Sequence, residues 1–468
     1  MSLTYAQALA ELQSRGRFGI RLGLARTRAL LHGLGDPQRA FRGALIGGTN
    51  GKGSVLALTA AAVRTAGLRA GETPKPHLVT YRERLQVGGE LVDPDTLARL
   101  VQRIVPVAAR VARRHGEPTE FELLTALTFA WFAERGVDLA LVEVGLGGRL
   151  DATHAWDGGV AAITNVALDH TDRLGPTIPL IAREKAAIIV AGDVAVTGAS
   201  GEALPVITRQ ARRVGAPLTV VSPAPLVGWD RDGITVELPR LGATRVGLRG
   251  RHQAANVAVA DAVLDALEAA GIAAVPPDAR RAGYAEARWP GRLELVETPD
   301  VEVLLDGAHN PAGAAVLATA LDDLRPYLRP GPLTLLGAVM ADKDAAGIVD
   351  ALAASPALQD ASVVTTAVSE RSLGPERLAA LWRDRLPGLR RATALPGAEA
   401  AMDVALGTAA QAGGPLVVTG SLYLVGAVRA RLVDDPRLRD PDGQDGAAGT
   451  PPLALGAPAV AASGEAGR

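Results

Sequence analysis

Short apolar runs alternate along most of the chain with longer segments in which apolar residues recur every three or four positions. Residues 44–46, 139–144 and 160–166 are nearly continuous apolar stretches, the pattern of strands covered on both faces. Between them, 55–66 is alanine-rich, Asp93 and Asp95 beside Pro94 open a helix that runs to about His115, and Thr119 with Glu122 has capping-box spacing. Leu123, Leu127 and Trp131 then fall on one face of that helix. Residues 3–33 also read as helical, with a helix start at Gly23-Leu24 backed by Arg26, Leu30 and Leu31. Residues 71–78 are rich in proline, and Val87-Gly88-Gly89-Glu90-Leu91 reads as a hairpin turn. Short strands at 217–221, 234–238 and 245–248, separated by Gly and Pro, predict an antiparallel edge or a small sheet, and 252–270 returns to helix. After Trp289-Pro290-Gly291-Arg292 a second alternating series begins, with strands at 301–305, 333–336, 362–365 and 416–418.

Strands alternating with helices predict an α/β fold of doubly wound type, with ligands at the strand C-termini. The expected division is a first domain over 1–295, whose mostly parallel sheet is accompanied by a small antiparallel one, and a smaller Rossmann-like domain over 296–432. From 433 to 468 the chain is Pro, Gly, Ala and Asp with little large apolar surface, which predicts a disordered tail. A length of 468 residues fits two or three domains.

The first strand runs into Gly47-Gly48-Thr49-Asn50-Gly51-Lys52-Gly53-Ser54 and then into a helix. Glycines there let the backbone curl around an anion, N–H groups and the helix N-terminus point at phosphate oxygens, and Lys52 adds a point charge. The chain therefore reads as P-loop-like, although Gly53 separates Lys52 from Ser54, unlike the ordinary Walker pattern. A tight turn that merely contains a lysine is the plain alternative.

Formal charge is −1 with both signs intermixed, so no global field favours nucleic acid or a membrane. Cysteine is absent, which excludes disulfides and thiol chemistry and fits the cytoplasm. No apolar run approaches the length of a membrane span.

Glu143 lies inside an apolar strand, where a carboxylate costs several kcal/mol at order of magnitude unless it is paired. A cation is the economical partner, and Arg149 is the structural alternative. His170 follows Asp169 at a strand end, where an imidazole can meet metal or phosphate; a structural or exposed histidine is the plain alternative. Lys185 continues into an apolar stretch; it can pair with Glu184 or a phosphate, or, desolvated, react with carbon dioxide to give a carbamate able to bind magnesium. In the second half Asp306 can accept from ribose hydroxyls or cap the following helix, and His309 can stack on a base. Arg292 can neutralise a phosphate, and Gln253 and Asn256 share one helical face from which both can donate.

Gly-Thr-Asn-Gly-Lys-Gly-Ser at 48–54, Pro76-His77-Leu78, Phe121-Glu122, the run 143–153, Leu168-Asp169-His170-Thr171, Arg183-Glu184-Lys185-Ala186, Gly250 with His252-Gln253, Asp306-Gly307-Ala308-His309-Asn310-Pro311 and Val418-Thr419-Gly420-Ser421 resemble the folylpolyglutamate synthase family of the Mur ligase superfamily, including its bifunctional dihydrofolate synthase form. The resemblance spans about 20–430 in one consistent order. It implies that Gly48, Thr49, Asn50, Gly51, Lys52, Gly53 and Ser54 hold ATP, that Ser54, Glu143, His170 and a carbamylated Lys185 serve Mg2+, and that Lys52, Glu143, His170 and Lys185 carry the chemistry. Gln253, Asn256, Arg292, Asp306 and His309 would complete the nucleotide site. Gly23, Leu24, Ala25, Thr119, Glu120, Phe121, Glu122, Leu150, Asp151 and Ala152 would line a pterin pocket. The implied reaction joins L-glutamate to dihydropteroate or a reduced folate at the cost of ATP, in a cytoplasmic monomer. Two departures stand out: Lys75 occupies the place of a family serine that helps bind magnesium, where it cannot serve as an oxygen ligand, so that either one metal site is altered or Lys75 contacts phosphate directly, and Val368-Ser369-Glu370-Arg371-Ser372 differs from the family's Pro-Arg pattern. A cell-wall Mur ligase, a P-loop kinase or NTPase, and a non-catalytic binding protein remain as other readings.

Overall fold

A computed structural model describes residues 2–16 and 21–441. Eight strands form the first sheet: β1 (Gly43–Gly47), β2 (Ala70–Thr73), β3 (Gln86–Val87), β4 (Glu90–Leu91), β5 (Leu139–Glu143), β6 (Gly159–Ile163), β7 (Val194–Thr197) and β8 (Leu218–Val220), in the spatial order 4-3-2-5-1-6-7-8. The six from β2 to β8 are parallel and the hairpin β3–β4 adds an antiparallel edge. β1 lies between β5 and β6, so the chain turns to either side of it, and the turn after β1 opens at the crevice where doubly wound sheets receive ligands.

The small antiparallel sheet is β9 (Leu226–Asp230), β10 (Gly233–Leu238) and β11 (Gly242–Val246). The expected strand at 217–221 does not belong to it. β8 instead pairs parallel with β7, a strand the hydrophobic pattern did not single out. An edge strand with exposed outer residues carries the same weak signal whichever sheet it joins.

A second sheet holds β12 (Glu294–Glu297), β13 (Glu302–Leu305), β14 (Thr334–Gly337), β15 (Ser362–Thr366), β16 (Arg391–Leu395) and β17 (Leu416–Thr419), in the order 12-13-17-14-15-16. All neighbours are parallel except β12–β13. The expected boundary at 295/296 falls inside β12, whose side chains are only half-buried and give no apolar run. β16 escapes notice for the same reason.

Helix ends follow local chemistry. Asp93 accepts from Thr96 N–H ahead of helix Pro94–His115, Thr119 and Glu122 form a full capping box on helix Glu120–Arg135, and Asn310 caps helix Pro311–Leu324. The predicted helix over 3–33 is two helices, Tyr5–Ser14 and Ala25–Gly33, and residues 17–20 between them lie outside the described residues. On one face of the first sheet Phe41, Phe129, Phe132 and Trp156 interlock edge-on or tilted, with several ring centroids 5.7–5.8 Å apart. On the other face helix Lys52–Thr65 packs against helices Gln253–Ala269 and Pro277–Glu286. A Cβ on Gly283 would lie 2.5 Å from the Ala62 backbone, so this close approach requires glycine.

Residues 433–441, assigned above to the tail, are ordered against the first domain. Arg82 donates from Nε to Asp440 at 2.9 Å and from Nη2 to the carbonyls of Arg437 and Arg439 at 2.7 and 2.9 Å, and Thr80 Oγ1 donates to Asp440 at 2.9 Å. Composition misses this because one buried ion pair, not apolar area, fixes the segment. The remainder of the predicted tail, 442–468, lies outside the described residues. Among the described residues no helix is long and apolar enough to cross a membrane.

Candidate active site

The C-terminal ends of the first sheet's strands face those of the second across a cleft of about 560 Å³. The turn 48–54 forms its floor. Gly51 has φ +84° and a Cβ there would strike Asn256 Oδ1 at 2.3 Å, while a Cβ on Gly53 would meet the Trp289 ring at 2.7 Å; both sites need glycine. The turn is held from β6's end: Asn50 N–H donates to Asn165 Oδ1 at 3.0 Å, Thr49 N–H to the Asn165 carbonyl at 3.0 Å, and Thr164 Oγ1 to the Asn50 carbonyl at 2.6 Å. Thr164 and Asn165 were not singled out by sequence, because their role is to shape a neighbouring loop.

Lys52 and Lys185 converge on this turn. Lys52 Nζ donates to the carbonyls of Gly48 and Thr49 at 3.2 and 2.9 Å, and Lys185 Nζ donates to the same Gly48 carbonyl at 2.8 Å. Burial, with Lys52 nearby, lowers the Lys185 pKa to about 7. Glu143, at 4% exposure, accepts the Lys75 backbone N–H at 2.9 Å. Burial raises its pKa, against the pull of Lys52, Lys75 and Arg292. Arg149 does not reach Glu143; it pairs with Glu184 at 2.9 Å, which also leaves Lys185 without that partner. His170 lines the cleft with its pKa lowered by burial and by Lys343.

The other predicted pocket residues divide. Gly23, Thr119, Glu120, Phe121, Glu122, Leu150, Asp151 and Ala152 line the cleft, and Gly23 N–H bonds the Leu150 carbonyl at 3.3 Å. Leu24 and Ala25 do not line it; they start helix Ala25–Gly33. Glu122 is occupied by its capping box and by Arg26 Nε at 2.9 Å. Asp151 is pinned by Leu146 N–H at 2.8 Å and Thr153 Oγ1 at 2.6 Å. Glu120 is fully buried, with Oε1 lacking a hydrogen-bond partner. Arg84, absent from the sequence-derived set, reaches the same wall; its Nε donates to His77 Nδ1 at 2.8 Å and its Nη2 is buried without an acceptor.

From the second domain come Asp306 and His309, with Arg292 on the approach. Asp306 does not cap the next helix; its two oxygens accept from Ala308 and Leu293 N–H groups at 2.9 and 3.0 Å. His309 Nδ1–H donates to the Gly307 carbonyl at 2.7 Å, which leaves Nε2 as an acceptor. Asn256 lines the cleft, whereas Gln253 is buried behind it and accepts the Asn256 amide at 2.8 Å. Gln253 thus orients Asn256 instead of facing the cleft, because three residues along a helix also separates a wall from what supports it.

Asp169 ties the walls together. Its oxygens accept from Lys343 Nζ at 2.9 Å and Asn310 Nδ2 at 3.0 Å, both in the second domain. Burial alone would raise its pKa, but His170, Lys343 and His309 hold it well below the ordinary carboxylate range. Lys343 was legible in principle, since it follows β14 as Asp306 follows β13.

A glycine-rich turn carrying Lys52 at the switch point of one parallel sheet, faced across a cleft by the strand ends of another, defines a two-domain Mur-ligase-like protein. Residues 291–422 match the Mur ligase glutamate ligase domain. The dihydrofolate synthase/folylpolyglutamate synthase of Bacillus subtilis is 36% identical over 331 residues, covering 69% of this chain and 77% of that protein. That of Mycobacterium tuberculosis is 36% identical over 457 residues, covering 88% and 91%. The solved M. tuberculosis folylpolyglutamate synthase, complexed with ADP and AMPPCP, superposes with a TM-score of 0.82 at 34% identity, covering 92% of this chain and 100% of that one. The chain belongs to the dihydrofolate synthase/folylpolyglutamate synthase family.

Proposed function

We propose that the chain is an ATP-dependent acid–amino-acid ligase that joins L-glutamate to the carboxylate of dihydropteroate or a reduced folate through an acyl phosphate. The observation that carries this reading is the single cleft in which the Lys52 turn, Glu143, His170 and Lys185 meet the pocket of Phe121 and Asp151 and the second-domain pair Asp306 and His309. The acceptor carboxylate oxygen attacks the γ-phosphorus, and the bond to the bridging oxygen breaks with its electron pair leaving on ADP. The glutamate amine then attacks the acyl carbon, phosphate leaves with the oxygen it received, and the amine loses a proton. Backbone N–H groups of 48–54 and Lys52 spread the phosphoryl charge, so the protein contributes mainly position and electrostatics. Walls that meet through Asp169 exclude the water that would hydrolyse the intermediate.

The residues fit a magnesium ion. Mg2+ takes oxygen ligands and is commonly held by one or two carboxylates together with substrate phosphates. Among the described residues no three His, Asp or Glu side chains form a protein-only metal cluster, but Glu143 and Ser54 both face the cleft where phosphates would complete the shell. His170 and a carbamylated Lys185 would serve a second ion, and the lowered Lys185 pKa supplies the neutral amine that carbon dioxide needs. A bound ion would neutralise phosphate charge. Arg371 reaches the second-domain wall near Tyr423 and supplies a charge suited to a glutamate carboxylate. A cleft complete within one chain supports a monomer, and the absence of cysteine supports a cytoplasmic setting.

Purified protein given ATP, magnesium, glutamate and either dihydropteroate or tetrahydrofolate is expected to release ADP and phosphate together with a glutamylated product detected by mass. ADP release without an amide product from either acceptor would favour a plain NTPase and reject this reading.

A further inference from the structure

We propose that Lys75 receives the acceptor's carboxylate, its ammonium standing at the seam between the phosphate turn and the pocket of Phe121 and Asp151. This rests on the ligase reading above. Lys75 lines the cleft, and its Nζ donates to the Glu143 carbonyl at 2.6 Å and lies 4.8 Å from the Phe121 ring centroid. One contact therefore faces the strand end beside the phosphate turn, and the other faces the aromatic wall where a flat heterocycle would lie.

An ammonium has three protons, and only one is used here. Among the described residues Nζ has no other hydrogen-bond acceptor. Neither neighbouring carboxylate bonds Nζ: Glu143 Oε2 accepts the Lys75 backbone N–H instead, and Asp151 accepts from Leu146 and Thr153. Around Lys75 lie Lys52 and Arg84, which repel it, and Glu143 and Asp151, which attract it. An arriving carboxylate would supply the acceptor that the remaining protons lack, and would sit between the turn that presents the γ-phosphate and the pocket that holds the heterocycle.

The segment carrying Lys75 is also anchored on its far side. Leu78 packs into the second domain's core, a Cβ on Gly426 would lie 2.1 Å from the Leu78 carbonyl, and Arg82 is held by Asp440. The segment that carries the ammonium is thus held by contacts with both domains, and a donor on a held segment loses little freedom on binding.

The test compares dihydropteroate with its carboxamide, each titrated into the full-length protein loaded with AMPPCP. Wild-type protein is expected to bind the acid at least tenfold more tightly than the amide. Lys75→Met is expected to bind the two alike, near the wild-type affinity for the amide, with AMPPCP affinity changed less than threefold. Lys75→Gln keeps a donor for the Glu143 carbonyl without the charge and is expected to behave the same way; it decides the matter if the methionine variant fails to bind AMPPCP. Undiminished preference for the acid in the uncharged variants would overturn the assignment, as would a wild-type protein that binds acid and amide alike. Failure of wild-type protein to bind any pterin acid would instead overturn the ligase reading itself.

Discussion

The two walls of the cleft are charged by different means. On the first-domain side the Nζ atoms of Lys52, Lys75 and Lys185 rest on the carbonyls of Gly48, Thr49 and Glu143 at 2.6–3.2 Å, so the positive charge of Lys52 and Lys75 is gathered beside the Lys185 amine before any phosphate arrives. On the second-domain side Asp306 and His309 are held by main-chain groups, and burial lowers the His309 pKa to about 4, leaving it neutral near pH 7. The first arrangement suits a group whose negative charge shifts during reaction, and the second suits recognition of an uncharged base and sugar. In the proposed reading chemistry and selection lie on separate sheets, and Asp169, bridged by Lys343 and Asn310, is one of the places where the two walls join.

The largest effect should come from the first wall. Lys52→Ala is expected to cut amide formation by about 10³-fold while pterin-acid binding persists; equal losses in both would mean that the turn is structural only. Next comes the ion pair that holds residues 433–441 against the first domain. Asp440→Ala leaves Arg82 buried without its partner and is expected to lower stability by about 3 kcal/mol in denaturant unfolding, whereas a change within experimental error would show that 433–441 contributes nothing.

Lys343→Ala removes a bridge to Asp169 and is expected to raise the ATP KM about tenfold with kcat changed far less. A loss confined to kcat would erase the proposed division between walls. A further effect is expected from pH. Burial lowers His309 and His252 to about 4, against an unfolded value of about 6.5. Between those values the unfolded chain binds more protons, so stability present above pH 6.5 declines as pH falls toward 4. Melting temperatures over that window should fall, and His309→Asn should flatten the slope.

Much of this division was legible in the residues. Glycine, lysine and serine after an apolar run betray the phosphate turn because an anion imposes that composition on any backbone that wraps it. Glu143 announced itself through the cost of a carboxylate within Leu141-Val142-Val144. The supports were harder to read. Gln253 and Asn256 share a helical face, yet one backs the other, and sequence spacing alone does not separate those roles. β7 is only four residues long and β16 mixes polar with apolar residues, so their places follow from neighbouring strands more than from their own residues. Asp440 lies in a stretch whose composition argues for disorder, and only its partner Arg82, 358 positions away, gives it a place.

The central claim is that the cleft turns a carboxylate into an acyl phosphate between these two walls. Dihydropteroate labelled with oxygen-18 in both carboxylate oxygens, incubated with ATP, magnesium and glutamate, tests it most directly. Each phosphate released is expected to carry one labelled oxygen and each amide to retain the other. Unlabelled phosphate accompanying amide formation would contradict it.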